Sequence, residues 1–266
     1  MHPILFRFVH PLDGRLIEIH SYGVLILAGF VAGYLLLRWN ARQRTLTIDK
    51  REILWLTGIV LASSMAGAKI FDVLVMLPDI IASGRSLLEA FTGGGFMFYG
   101  GVAGALISFV WYCRRQHLDV RVWLDLFAPA LALGQVFGRM GCFMAGCCYG
   151  APTTCSLGVV FDHPDNTVTP HGVALHPTQL YESGFALLLF VVLEFLWFKR
   201  RPRIPGGLMA VWALGYAIFR FYVEFVRFDP RGSTLFGVLT PSQVVSLVLV
   251  SGAAIWLGSH MGRGRT

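Results

Sequence analysis

Charge is what this chain has least of. Only 14% of its 266 residues are Asp, Glu, Lys or Arg, whereas 55% are aliphatic, aromatic or cysteine. A water-soluble domain of this length could not hide so much apolar surface, so the soluble classes are excluded. Polar linkers, internal repeats and low-complexity tracts are also missing, and residues 1–266 read as one integral membrane domain. A cleavable signal peptide is not apparent. The opening row RFVHPLDGRLIEIHSYG alternates polar and apolar residues, without a charged start and an apolar core ending in small residues. It reads as a short amphipathic or strand-like outer segment. Five cysteines are present, but their spacing contains no C-x2-C knuckle.

What the chain has instead is a series of apolar stretches of about 20 residues, the length that crosses hydrocarbon. They fall near 20–37, 53–76, 96–113, 122–144, 179–198, 207–227 and 240–258. This predicts an all-α, polytopic membrane protein with about seven transmembrane helices. Its 22 basic residues are unevenly shared between the two sets of connections. Arg38, Arg42, Arg44, Lys50, Arg51, Arg114, Arg115, Arg121, Lys199, Arg200, Arg201, Arg203, Arg263 and Arg265 fall on one side, and Arg7, Arg15, Arg85 and Arg231 on the other. By the positive-inside rule the N-terminus is outside and the C-terminus cytoplasmic. The net charge of +7 follows from this asymmetry and suits anionic inner-leaflet lipid. Because the charges are scattered through short loops, they argue against a nucleic-acid partner. The longest polar connection, about 146–178, is then an outer loop region.

Four basic residues remain inside or at the ends of apolar runs: Lys69, Arg139, Arg220 and Arg227. A charge at the bilayer centre costs about 3 kcal/mol or more, so such groups are paired, face a cavity or serve function. At about 100° per residue, Tyr216, Arg220, Glu224 and Arg227 fall at roughly 0°, 40°, 80° and 20° on one helix face. Arg220 and Glu224, four apart, form either a self-neutralising pair that locks packing or part of an anion-binding face. Two arginines against one glutamate favour the latter. Gln135 and Arg139 are also four apart, beside Gly138, Gly141 and Gly146; the planar guanidinium suits a pair of phosphate oxygens. In TGGGFMFYGGVAGA, the glycines Gly94, Gly95, Gly100, Gly101 and Gly104 surround Tyr99 and permit close approach of a ligand or a helix. Lys69 and Asp72 look like a local structural pair.

Cys142, Cys147, Cys148 and Cys155 gather at the outer end of the fourth span, followed by His163, His171 and His176. The metal signal is weak. A disulfide is the expected fate of two of these cysteines on an oxidising face, and which two pair cannot be read from the sequence. His176, before Pro177, reads as a cap of the fifth span.

Taken together, HSYG (20–23), GAKI (67–70), FYGGVAG (98–104), APALALGQVFGRMGCF (128–143), HPTQLYES (176–183) and GYAIFRFYVEFVR (215–227) resemble the prolipoprotein diacylglyceryl transferases of bacterial inner membranes. The likeness extends over nearly the whole chain, in order. It implies a multi-pass enzyme of the bacterial cell inner membrane. Such an enzyme moves the diacylglyceryl group of phosphatidylglycerol onto the lipobox cysteine of an exported preprolipoprotein, leaving a thioether and glycerol 1-phosphate. It implies Arg139 as the phosphate ligand, Arg220 as stabiliser of the leaving phosphate, and Tyr22, Tyr216 and Glu224 as groups that orient lipid or support the arginines. Gly100, Gly101 and Gln135 complete the expected lipid-binding set. No metal and no cofactor are implied. Tyr99 stands where many members have a histidine proposed as base for the incoming thiol. Cys142, Ala145 and Cys147 replace polar residues of the usual pattern. Two other classes fit the same scaffold: a membrane thiol or redox protein, pointed to by Tyr99 and the cysteines, and a non-catalytic phospholipid-binding protein.

Overall fold

A computed structural model describes residues 2–9, 14, 16–44, 49–84, 86–93, 95–164, 169–199, 204–227 and 239–261. Gly94 and the basic residues Arg15, Arg85, Arg200, Arg201, Arg203, Arg231, Arg263 and Arg265 lie outside these segments. The chain opens with an antiparallel hairpin, β1 (Ile4–Val9) and β2 (Leu16–His20), so the strand-like reading of the opening row is the one adopted. Its register sets Arg7 opposite Glu18, which are 3.0 Å apart and pair opposite charges across the strands. The helices are α1 (Ser21–Gln43), α2 (Lys50–Ser83), α3 (Leu87–Thr92), α4 (Phe98–Arg115), α5 (Val120–Ala145), α6 (Thr178–Phe198), α7 (Gly207–Val223) and α8 (Pro241–Met261). A two-residue pair of strands, β3 (Val159–Val160) and β4 (Ala174–Leu175), interrupts the loop before α6. The all-α expectation is therefore corrected to a mostly helical chain with short strands.

Among the described residues, five helices are long and apolar enough to cross a membrane: α1, α2, α5, α6 and α8 through His260. The helix α7 is apolar but has 17 residues. Large apolar side chains such as Leu27, Leu35, Trp55, Leu74, Leu188 and Val248 face outward, while Asn40, Asp125, Gln179, Glu182, Arg220 and Gln243 are buried. In water so extensive an apolar exterior would be untenable; in lipid it is the favourable arrangement. The protein is a multi-pass membrane protein.

Two compact units make up the chain: Met1–Gln43 with Leu124–Thr266, and Arg44–Trp123. In the second unit, α2 runs on past the stretch expected near 53–76, through Pro78, and ends at Gly84 with φ +66°. The unexpected α3 is started by a capping box: Glu89 N–H donates to Ser86 Oγ at 3.1 Å and Ser86 N–H donates to Glu89 Oε2 at 3.4 Å. The contact of α2 with α4 is a crossing of small residues. A Cβ on Gly67 would collide with the Gly100 carbonyl, and one on Gly104 with the Ser63 carbonyl. The Lys69 ammonium is 3.3 Å from Asp72 and donates to the carbonyls of Gly93 (3.0 Å) and Gly95 (3.3 Å), clamping the turn that leads into α4. Lys69 is thus held in a structural ion pair.

In the first unit, α5 is the most enclosed of the five long helices, with 44% of its apolar window buried. Its Asp125 carboxylate accepts the backbone N–H groups of Gly206 (2.7 Å), Leu208 (2.8 Å) and Met209 (3.1 Å). These are donors that a helix start leaves unsatisfied, and an anion there also meets the favourable end of the α7 dipole. Asn40 on α1 donates to Glu194 on α6 at 2.6 Å. Ser183 on α6 donates to the Val136 carbonyl on α5 at 3.3 Å. These bonds fix the depth at which α1, α5, α6 and α7 meet.

Candidate functional site: an arginine–glutamate cluster

The first unit holds two sets of ion pairs, one around Glu182 and one between Arg220 and Glu224. Arg139 projects from α5 and lies 2.8 Å from Glu182 Oε2; Arg227 reaches Glu182 Oε1 at 2.7 Å. Arg220 and Glu224 meet at 2.5 Å, and Arg220 also donates to Ser242 of α8 at 3.0 Å. The pairing of Arg220 with Glu224 follows from their helical spacing. The placement of Arg227 does not: α7 ends at Val223, so the helical projection no longer applies beyond it. Arg227 instead bridges Gly150 and turns to α6. The expected face of Tyr216, Arg220, Glu224 and Arg227 is corrected accordingly.

Glu182, shared by two of these guanidiniums, is a residue that the sequence analysis did not single out. Its signal was available: a carboxylate in the first turns of an apolar span needs a cationic partner. Next to it, a narrow crevice of about 10 Å³, room for about one water, is lined by Gln135, Arg139, Glu182, Phe185, Ala186, Tyr216 and Phe219. Trp212 donates to Gln135 Oε1 at 3.3 Å and stacks on Tyr216, with ring centres 5.4 Å apart. Phe185 stacks on Phe219 at 4.2 Å. The crevice therefore has aromatic walls and one cationic lip. Arg139 is the least buried of the three side chains, 22% exposed against 7% for Arg220 and 3% for Arg227.

Tyr22, at the start of α1, packs over Gly141, where an added Cβ would lie 3.0 Å from the ring. It stands within electrostatic reach of Arg139 and of Cys142, Cys147 and Cys148. Tyr22, Gln135, Arg139, Tyr216, Arg220 and Glu224 thus share one unit. Tyr99, Gly100 and Gly101 belong to the other. Tyr99 is exposed at the first turn of α4, its ring edge-on to Phe98. Gly100 and Gly101 are buried; the close approach expected there is made by the backbone of α2 at Gly67 and Ser64.

All five cysteines are thiols, with no disulfide among them, so the expected bridge is not formed. Three of the four outer cysteines, Cys142, Cys147 and Cys148, converge, while Cys155 is exposed and apart. Cys148 is hydrogen-bonded to Arg227, which ties the thiols to the ion-pair cluster. His176 does not cap α6 with its side chain; its Nδ1 lies 3.2 Å from the Tyr181 hydroxyl.

Apolar helices turned outward around buried arginine–glutamate pairs define a multi-pass membrane protein. Residues 9–258 match the model of the family described as prolipoprotein diacylglyceryl transferase. The chain is 36% identical over 250 residues to a phosphatidylglycerol–prolipoprotein diacylglyceryl transferase of Clostridium tetani, covering 94% of each protein. It is 35% identical over 251 residues to one of Clostridium perfringens, again with 94% of each covered, and 33% identical over 239 residues to one of Finegoldia magna, with 90% of each covered. The chain belongs to the prolipoprotein diacylglyceryl transferase family.

Proposed function

We propose that this chain is a phosphatidylglycerol–prolipoprotein diacylglyceryl transferase of a bacterial inner membrane, with seven spans, an outer N-terminus and a cytoplasmic C-terminus. Its substrates are phosphatidylglycerol and the lipobox thiol of an exported preprolipoprotein. The sulfur of that thiol attacks the glyceryl carbon that bears the phosphate ester. The carbon–oxygen bond breaks, the electron pair leaves on the phosphate of glycerol 1-phosphate, the thiol proton passes to that phosphate or to water, and a thioether remains.

The observation that carries this reading is the charge imbalance: Arg139 and Arg227 share the one carboxylate of Glu182, Arg220 is paired with Glu224, and Arg139 lines the crevice. One surplus positive charge matches the single negative charge of a phosphodiester headgroup. In a poorly screened interior, fixed donors aimed at developing charge are worth more than they are in water. Arg139 binds the phosphate. Arg220, held by Glu224 and Ser242, adds positive potential as the leaving group gains charge. Gln135, Tyr216 and Tyr22 orient the headgroup, and the acyl chains stay in the bilayer. Tyr99 lies exposed at the start of α4, in the other unit. Tyr99 is assigned to the acceptor thiol as a hydrogen-bonding partner through its phenol hydroxyl. The thiol-redox reading is not favoured, since the relatives are named as transferases.

The test is lipidation of a reporter preprolipoprotein in cells that depend on this chain, with mass spectrometry of the modified peptide and assay of released glycerol phosphate. Arg139→Ala should abolish both products while the protein still inserts, and Arg139→Lys should restore little because the forked geometry is lost. Full activity in Arg139→Ala would remove the phosphate-cradle argument.

A further inference from the structure

We infer that Cys142, Cys147 and Cys148 form a three-thiolate binding site for a thiophilic d10 metal ion, Zn(II) in first place, beside the arginine–glutamate cluster. The inference is independent of the transfer reaction. It begins with how α5 ends. Gly146 has φ +71°, its N–H donates to the Phe143 carbonyl at 3.2 Å, and the Cys147 N–H donates to the Cys142 carbonyl at 3.1 Å. These are the two bonds of a Schellman motif, in which the residue after the closing glycine meets the residue five positions before it. Here both positions are cysteine, so an ordinary helix ending brings two thiols together.

The third thiol is set by a second device. Successive side chains of an extended segment point to opposite sides, which would turn Cys148 away from Cys147. Cys148 instead has φ +65°, a conformation uncommon outside glycine, and its sulfur joins the other two. The turn is held from α6: Gln179 donates to the Cys147 carbonyl at 2.7 Å and Thr178 to the Cys148 carbonyl at 2.8 Å. As a result the three sulfurs all lie within 4.8 Å of one another. Three sulfurs bound to one ion at about 2.3 Å stand roughly 4 Å apart, so small side-chain rotations complete the site.

Chemistry selects the ion. Soft thiolates prefer Zn(II) and Cu(I) over the oxygen-seeking cations. Three thiolates around a divalent ion leave one net negative charge. Arg227 hydrogen-bonds Cys148, so a guanidinium already present faces that charge. The three cysteines are half-buried, which leaves a path for the ion and an open fourth position.

The test uses the full-length chain in lipid nanodiscs, reduced and stripped with a chelator, then titrated with Zn(II) or with Cd(II) as an absorbing probe. One ion per chain should bind, and Cd(II) should give a thiolate-to-metal absorption band. Cys142→Ser, Cys147→Ser and Cys148→Ser should each weaken binding by about 100-fold or more, since even indirect partners of a metal ligand are worth 10–100-fold. Cys155→Ser should leave binding unchanged. Should a serine variant fail to fold, X-ray absorption on the unmodified protein decides, with three sulfur neighbours expected at about 2.3 Å. No retained ion, fewer than three sulfur neighbours, equal uptake by the triple serine variant, or a disulfide within the cluster of the protein taken from its membrane would each overturn the site.

Discussion

Glu182 gives the sharpest test of the ion-pair cluster. It lies between two guanidiniums at 2.8 and 2.7 Å, and its side chain is 4% exposed. Glu182→Gln keeps the shape and removes the charge, leaving Arg139 and Arg227 without their counter-ion in an interior that salt screens poorly. Breaking a buried pair by removing one partner costs about 3–5 kcal/mol, and two cations are affected here. Arg227→Gln is a different perturbation, because Glu182 keeps Arg139. The charge-assisted bond to Glu182 is lost, about 1.5–3 kcal/mol, together with the weaker one to Cys148. The geometry therefore demands that the glutamate variant be the more damaging of the two. In the double variant Arg227 no longer needs a counter-ion, so the combined loss should fall short of the sum by up to about 3 kcal/mol. Unfolding of the full-length chain in detergent micelles, followed by tryptophan fluorescence, measures all three. A loss for Glu182→Gln no larger than for Arg227→Gln, or additivity within about 0.5 kcal/mol, would refute the shared-carboxylate reasoning.

Asp125→Ala should destabilise by about 2–4 kcal/mol, because three N–H donors at the start of α7 lose a charged acceptor, while Asp125→Asn should lose less; the same unfolding assay checks both. Gly67→Ala should lower the folded yield, since its Cβ would strike the Gly100 carbonyl and crowd Gly104, an overpacking worth about 1–3 kcal/mol. Gly58→Ala on the same helix meets nothing within 4 Å and should be neutral, so equal effects of the two would contradict the α2–α4 crossing. Hydrogen bonds with Cys142 and Cys148, together with burial, push the Cys147 thiol above its usual range, whereas Cys155 is exposed. At mildly alkaline pH a maleimide should therefore label Cys155 quickly and Cys147 slowly, with the Cys147 rate rising only at higher pH; equal rates would show that the thiols are not clustered.

Periodicity and length were enough to place the long helices, because spanning hydrocarbon leaves the chain little choice of conformation. The pairing of Arg220 with Glu224 was equally legible, since residues four apart on a helix face each other whatever the fold. The sequence also marked Arg139 as out of place among apolar residues, and the Lys69–Asp72 pair followed from local spacing. Tertiary structure alone decided the rest. Glu182 and Arg139 are 43 residues apart in the chain, and only the packing of α6 on α5 makes them partners. Arg227 could not be placed by a helical projection, because its helix stops before it. The role of Gly100 and Gly101 turned on which surface came close, and that surface is α2. The three thiols met because a helix ended in a particular turn, and a spacing pattern cannot show where a helix ends. Local geometry repeats along a chain and can be read from it; contacts between distant segments depend on every element that packs around them.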